Sequence, residues 1–296
     1  MYNYFMPKNI GSDLESINKL INMHLKIKEI VENEIMIDFS STKWMSGECF
    51  ALFGALTYDL TKRYNKKLYI NGVSEELRMM FESNNFSDVV SNMKSGIIKE
   101  TSIKFKYFKE ELEQGKNNCF DGYLDKELTP KINLSKQEID YIISKLSELF
   151  INARTHGDTF EIFCCGQKYP RINKLRLIIV DLGKGIPYNV KKKIGNIPDY
   201  SCIEWAIEAG NTTKDLTKDS GGLGLDAVLE FVKQHNGDMS IISHLGQYNY
   251  KNNVLKDGEI ELDGTLVYIE FDYTAIKDMD KLFEKIKRNK EFEWNF

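Results

Sequence analysis

The run Leu175-Arg176-Leu177-Ile178-Ile179-Val180 reads as a buried strand, and it stops at Asp181-Leu182-Gly183-Lys184-Gly185-Ile186-Pro187. A carboxylate at the end of an interior strand is placed to accept a hydrogen bond from an exocyclic amine, and the two following glycines let backbone approach a flat ligand. Adenine carries such an amine. Guanine presents a carbonyl there, which a carboxylate would repel. A strand-ending Asp-x-Gly turn is common in itself, so the reading depends on what surrounds it.

On the amino-terminal side, strands alternate with helices. Glu34 to Phe39 and Leu68 to Ile70 read as short strands, Gly47 to Tyr64 as a helix with Phe50, Phe53, Leu60 and Tyr64 inward, and Ser74 as the cap of a further helix. A first helix carries Leu14, Ile17, Leu20, Ile21 and Leu25 at helical spacing behind a Ser12/Glu15 capping box. Such alternation predicts βαβ units and a largely parallel sheet. The stretch Ser91 to Glu100 breaks the rhythm, and a chain of 296 residues exceeds the ~200 at which single cores stop growing, so two domains are expected, 1–100 and 101–296.

The second of these opens on a half-exposed strand, Ile103 to Tyr107. Ser135 and Glu138 form another capping box, heading a helix that reaches about His156. Ile142, Leu146, Leu149, Phe150 and Ala153 form its apolar stripe. Glu148 and Asn152 lie on the other side, only ~40° apart around the axis. An amide oxygen is a hard ligand for Mg²⁺ bridging phosphates, and a nearby carboxylate can take a proton from an attacking nucleophile. Further on, Gly221-Gly222-Leu223-Gly224-Leu225 runs into an amphipathic helix, and free amides at a helix start suit a triphosphate. The Lys and Ser/Thr of a P-loop do not follow. Between these motifs, Lys184 to Gly222 reads as a polar, glycine-containing region. Strands at 239–242 and 266–271 and a charged helix bearing Ile276, Met279, Leu282, Phe283 and Ile286 complete the chain.

In order and spacing these motifs resemble the GHKL ATPases, the group of histidine kinases, anti-sigma-factor kinases, type II topoisomerases and Hsp90-type chaperones. Glu148 to Ala153 looks like the N box, Asp181 to Ile186 the first glycine box and Gly221 to Leu225 the second; the likeness continues through His235 to Met239 and Gly264 to Val267. It implies an α/β sandwich, a mixed sheet covered by helices, with ATP beneath a mobile lid at about 187–220. It implies Asn152 as the Mg²⁺ ligand and Glu148 as the catalytic residue that activates the nucleophile. Asp181, with Thr265 beside it, would anchor adenine; Gly183, Gly185, Ile186, Gly221, Gly222, Leu223, Gly224 and Leu225 would contact the nucleotide. Lys214 or Lys218 would reach the γ-phosphate or remain solvated.

The first hundred residues resemble a STAS domain, the fold of anti-sigma-factor antagonists, through Asp38-Phe39-Ser40, Trp44-Met45 and the helix from Gly47. Where that family carries a phosphorylated serine, the aligned segment Ser46-Gly47-Glu48-Cys49 has Glu48. A solvent-facing helix residue is the expectation there, a fixed mimic of phosphoserine the alternative.

Composition narrows the partners. A net charge of -4 disfavours capture of nucleic acid, no apolar run approaches the ~18 residues that span a bilayer, and the opening Met-Tyr-Asn-Tyr lacks a targeting pattern, so a cytoplasmic protein without membrane contact is expected. Five cysteines without a C-x-x-C pair predict buried thiols; adjacent Cys164 and Cys165 should point to opposite faces of a strand. The two resemblances together imply a Mg²⁺- and ATP-dependent serine kinase or partner switch that acts with a protein partner the sequence does not name, and a homodimer is open. An ATPase switch without kinase activity is the alternative. A sensor histidine kinase fits less well, because His24 lies on an apolar helix face and lacks a following acidic residue.

Overall fold

The computed structural model describes residues 1–86, 100–116, 118–211 and 224–276, which form a mixed α/β structure. In the first segment, strands β1 (Tyr2–Phe5), β3 (Glu34–Asp38) and β5 (Lys67–Asn71) pair in parallel in the order β1-β3-β5, and β2 (Asn9–Ile10) pairs in parallel with β4 (Trp44–Met45). The expected parallel arrangement is present. Strand β1 was not foreseen, because four residues at a sheet edge carry too short a pattern to read. Helix α1 (Leu14–Glu29) is capped by Asp13, whose carboxylate accepts from the Ser16 amide, rather than by Ser12. Helix α2 (Phe50–Lys62) follows a short 3₁₀ turn at Gly47–Cys49, and α3 (Glu75–Ser83) starts at the predicted Ser74 cap.

The second segment is built on a five-stranded sheet of β6 (Ser102–Tyr107), β7 (Ile162–Tyr169), β8 (Lys174–Asp181), β9 (Asp238–Asn249) and β10 (Val254–Asp272), ordered β6-β7-β8-β10-β9. Every neighbouring pair is antiparallel, which corrects the mixed sheet implied by the resemblance. Short returns at Pro170–Ile172 and 250–253 make hairpins of β7-β8 and β9-β10, and hairpins impose that direction. Helices α4 (Lys109–Glu113), α5 (Cys119–Leu128) and α6 (Lys136–Gly157) separate β6 from β7. Both hydrogen bonds of the Ser135/Glu138 capping box are made at the start of α6.

Both faces of this sheet are covered. Ile179, Ile241 and Val267 point into a core with α5, α6 and α9 (Leu225–Gln234), while Ile178, Val180, Ile242 and Leu266 point into a core built with α1 and α2. Consecutive cysteines show the alternation: Cys164 belongs to the first core and Cys165 to the second. Phe86 joins the segments, its ring 5.2 Å from both Phe50 and Phe105, and each such ring taken out of water contributes roughly 1.5–3 kcal/mol. Gly54 on α2 permits the close approach, since a Cβ there would lie 2.4 Å from Cε2 of Phe105. Residues 87–99, which hold most of the expected boundary, lie outside the described residues, but the hydrophobic core is continuous across it.

The expected lid at 187–220 is corrected in its first half. Helices α7 (Gly185–Ile194) and α8 (Asp199–Ile207) occupy it, and α8 packs on β9. Asp199 pairs with Lys191 at 2.6 Å and accepts from the Leu245 amide at 3.1 Å. Pro187 lies in the first turn of α7 and Pro198 is the N-cap of α8, where a missing N–H costs nothing. Of the expected last helix, only Ile276 falls within the described residues; it is buried against the α6 side of the sheet. Among the described residues no helix is long and apolar enough to cross a membrane.

Candidate functional site

Asp181 is the last residue of β8, the central strand, flanked by Ile162 of β7 and Thr265 of β10. Its side chain turns to the α6 face and is 4% exposed. Burial pushes the carboxyl up to about 7, opposed by the backbone amides of Gly183, whose N–H donates to Oδ1 at 3.0 Å, and of Thr265. Glycines wall the group. A Cβ on Gly157, the last residue of α6, would lie 2.9 Å from Asp181 Oδ1, and one on Gly183 would lie 2.2 Å from the Gly157 carbonyl oxygen. Gly264, at φ +120°, passes so close to the Asp181 carbonyl that a Cβ would meet it at 2.0 Å.

Ser243 of β9 ties the rest of the glycine loop to this strand end. Its hydroxyl accepts from the Ile186 amide at 2.9 Å and donates to the Gly264 carbonyl at 2.9 Å, which leaves Thr265 Oγ1, 3.1 Å away, as a donor to it. Gly185 begins α7 at φ +72°, and a Cβ there would meet His244 at 2.7 Å. Asn189 fastens α7 to the end of α6 by donating to the His156 carbonyl at 2.6 Å. Lys184 pairs with Asp158 at 2.6 Å on the surface. Ser243 and Asn189 were not singled out from the sequence. Ser243 left one signal: a small polar residue next to the buried pair Ile241-Ile242.

Helix α6 brings Glu148 and Asn152 to the side opposite its apolar stripe. All five stripe residues are buried, and both polar side chains are half-buried. Phe150 stacks on Phe120 with centroids 4.6 Å apart, which fixes the rotation of the helix about its axis. Gly157 touches Asp181, so at 1.5 Å per residue Asn152 stands ~7.5 Å and Glu148 ~13.5 Å back along α6 from that contact. Glu148 Oε2 is shielded from solvent.

From the second glycine box, Gly221, Gly222 and Leu223 lie outside the described residues, as do Lys214 and Lys218. Gly224 is the N-cap of α9 and Leu225 its first, buried residue, and α9 packs along α6. Thus the structure gathers Asp181, Gly183, Gly185, Ile186 and Thr265 at one strand end and lines up Glu148 and Asn152 on the adjoining helix.

The first segment corrects one expectation. Glu48 is not solvent-facing: it is fully buried against β7 and β8, where the Tyr169 hydroxyl donates to Oε2 at 2.8 Å and Arg176 Nη1 stands 3.9 Å from Oε1. Burial raises its carboxyl above the ordinary range, against hydrogen bonds from Tyr169 and Ser12. Ser46, a candidate acceptor near it, is also fully buried, whereas Ser40 and Ser41 are exposed. His24 is buried as the helix pattern predicts, with Nε2 held 2.6 Å from Asp59.

Comparison with known proteins adds no assignment. No family model matches the chain, and no curated protein does.

Proposed function

We propose that residues 101–276 form a Mg²⁺-ATP site of the GHKL kind and that the chain is an ATP-dependent partner switch, with a STAS-like first segment packed on the back of the sheet. The observation that carries this reading is the Asp181 strand end: a buried carboxyl on the central strand, raised to about 7 by burial and closely approached by the glycine backbone of residues 157 and 183. A Cβ at Gly157 would press on the Asp181 carboxyl, and one at Gly183 on the Gly157 backbone, so both positions keep the strand end in its observed form. Asn152 supplies a neutral oxygen donor on the adjoining helix, which fits Mg²⁺ carried in by phosphates; the ion's chemistry there is to offset phosphate charge. Glu148, one turn further back, would serve as the base, and the amides at the start of α9, at Gly224 and Leu225, would take the phosphates.

Burial removes Ser46 as an acceptor, which leaves a partner chain or the exposed Ser40 and Ser41 to take a phosphoryl group. A serine kinase acting on a partner and an ATPase switch are two outputs of the same site. Calorimetric titration with ATP tests the site itself. Binding should require Mg²⁺, and Asn152→Ala should remove that requirement together with at least ~10-fold in affinity. ATP binding of equal strength with and without Mg²⁺ in the native chain would overturn the assignment of Asn152.

A further inference from the structure

Arg63 closes α2 and reaches across the interface between the two segments. Its Nη2 donates to the carbonyl oxygen of Leu182 at 3.2 Å and pairs with Glu161 at 2.5 Å, while Nη1 lies 3.2 Å from Asp59. Each partner is itself held: Asp59 by His24, and Glu161 by the Tyr58 hydroxyl at 3.1 Å. Leu182 is therefore gripped on three sides. Its amide donates to the Glu161 carbonyl at 3.2 Å, its carbonyl accepts from Arg63, and its side chain is buried in the core shared with α1 and α2.

Leu182 separates Asp181 from Gly183, whose amide orients the Asp181 carboxyl. Any rotation of the Leu182 peptide would carry that amide away and turn the carboxyl with it. We infer that Arg63 is a positioning residue for the nucleotide site, acting through the Leu182 carbonyl, so that residues 1–86 are a constituent part of base recognition by the second segment. The inference rests on the Asp181 reading above. A guanidinium suits this position because its planar fork satisfies two carboxylates and a carbonyl at once, which a lysine ammonium at the same reach does not.

The experiment compares the full-length chain with Arg63→Lys, Asp181→Asn and the double variant, measuring Kd for Mg-ATP and Mg-GTP by calorimetry. Arg63→Lys keeps the charge beside Asp59 and Glu161, and should lower the preference for ATP over GTP by about 10-fold. In the Asp181→Asn background the same substitution should cost less than about 2-fold, because its route runs through that carboxyl. Glu161→Gln, which preserves side-chain volume, should produce a smaller shift in the same direction if Arg63→Lys folds poorly. Equal base preference in native, Arg63→Lys and Glu161→Gln proteins, with Asp181→Asn impaired, would overturn the role of Arg63 and leave the site standing. An unimpaired Asp181→Asn would instead sink the nucleotide reading on which it rests. Additive losses in the double variant would reduce Arg63 to a structural ion pair.

Discussion

Two buried carboxyl groups lie on opposite faces of the five-stranded sheet, Asp181 toward α6 and Glu48, carried by the first segment, against β7 and β8, and burial pushes both of them up. Their partners differ. Glu48 meets side chains on several sides, and its neighbour Arg176 is held in turn by Glu270 at 2.8 Å, which also pairs with Lys251 at 3.1 Å. Asp181 is met by two backbone amides and bare glycine backbone. A carboxyl enclosed by its own protein's side chains cements an interface. One met by backbone amides and glycine backbone is, in the proposed site, the group that meets a ligand. Desolvation alone does not distinguish a structural acid from a functional one; the chemistry of the enclosing groups does.

The largest effect expected from this contrast is on stability. Glu48→Ala leaves the Tyr169 hydroxyl without its buried acceptor and Arg176 with Glu270 alone, and should cost about 3–5 kcal/mol in denaturant unfolding, with nucleotide affinity unchanged in the folded fraction. A stable Glu48→Ala protein with altered ATP affinity would break the comparison, because the two faces would then be one functional unit. Gly157→Ala should do the reverse at smaller scale. Its methyl would press on Asp181 Oδ1, so affinity should fall by about 10-fold while stability drops by only about 1–3 kcal/mol. Titrating ATP into that variant, with urea unfolding in parallel, checks both halves.

What could be read from the sequence was whatever is local. The capping box at Ser135, the apolar stripe of α6, the strand running into Asp181 and the opposed directions of Cys164 and Cys165 all depend on spacing within a few residues, and all are present. What could not be read depends on contacts between distant residues. Glu48 looked exposed because its segment gives no hint that Tyr169 and Arg176, more than a hundred positions away, close over it. Helices α7 and α8 were hidden in a polar, glycine-containing stretch, and the length of β9 and β10 by polar residues such as Ser243, Gln247 and Asn249 that are satisfied inside the structure. The antiparallel sheet follows from two hairpins whose pairing only the fold reveals. The roles of Ser243 and Arg63 were hidden for the same reason, since each binds backbone far off in sequence.

The most direct test of the central claim is the affinity for Mg-ATP of the native chain and of Asp181→Asn, measured by calorimetry from pH 6 to pH 8. A carboxyl raised to about 7 by burial binds its proton more tightly folded than unfolded. Its contribution to stability is therefore full below the unfolded value near 4 and is lost as the pH rises through about 7. Ligand affinity runs the other way, because the ionised group is the stronger acceptor for the adenine amine. The account predicts that the native protein binds more tightly as the pH passes about 7, and that Asp181→Asn binds at least ~100-fold more weakly with that slope gone. Equal affinity in the two proteins, or an identical pH slope in both, would contradict it.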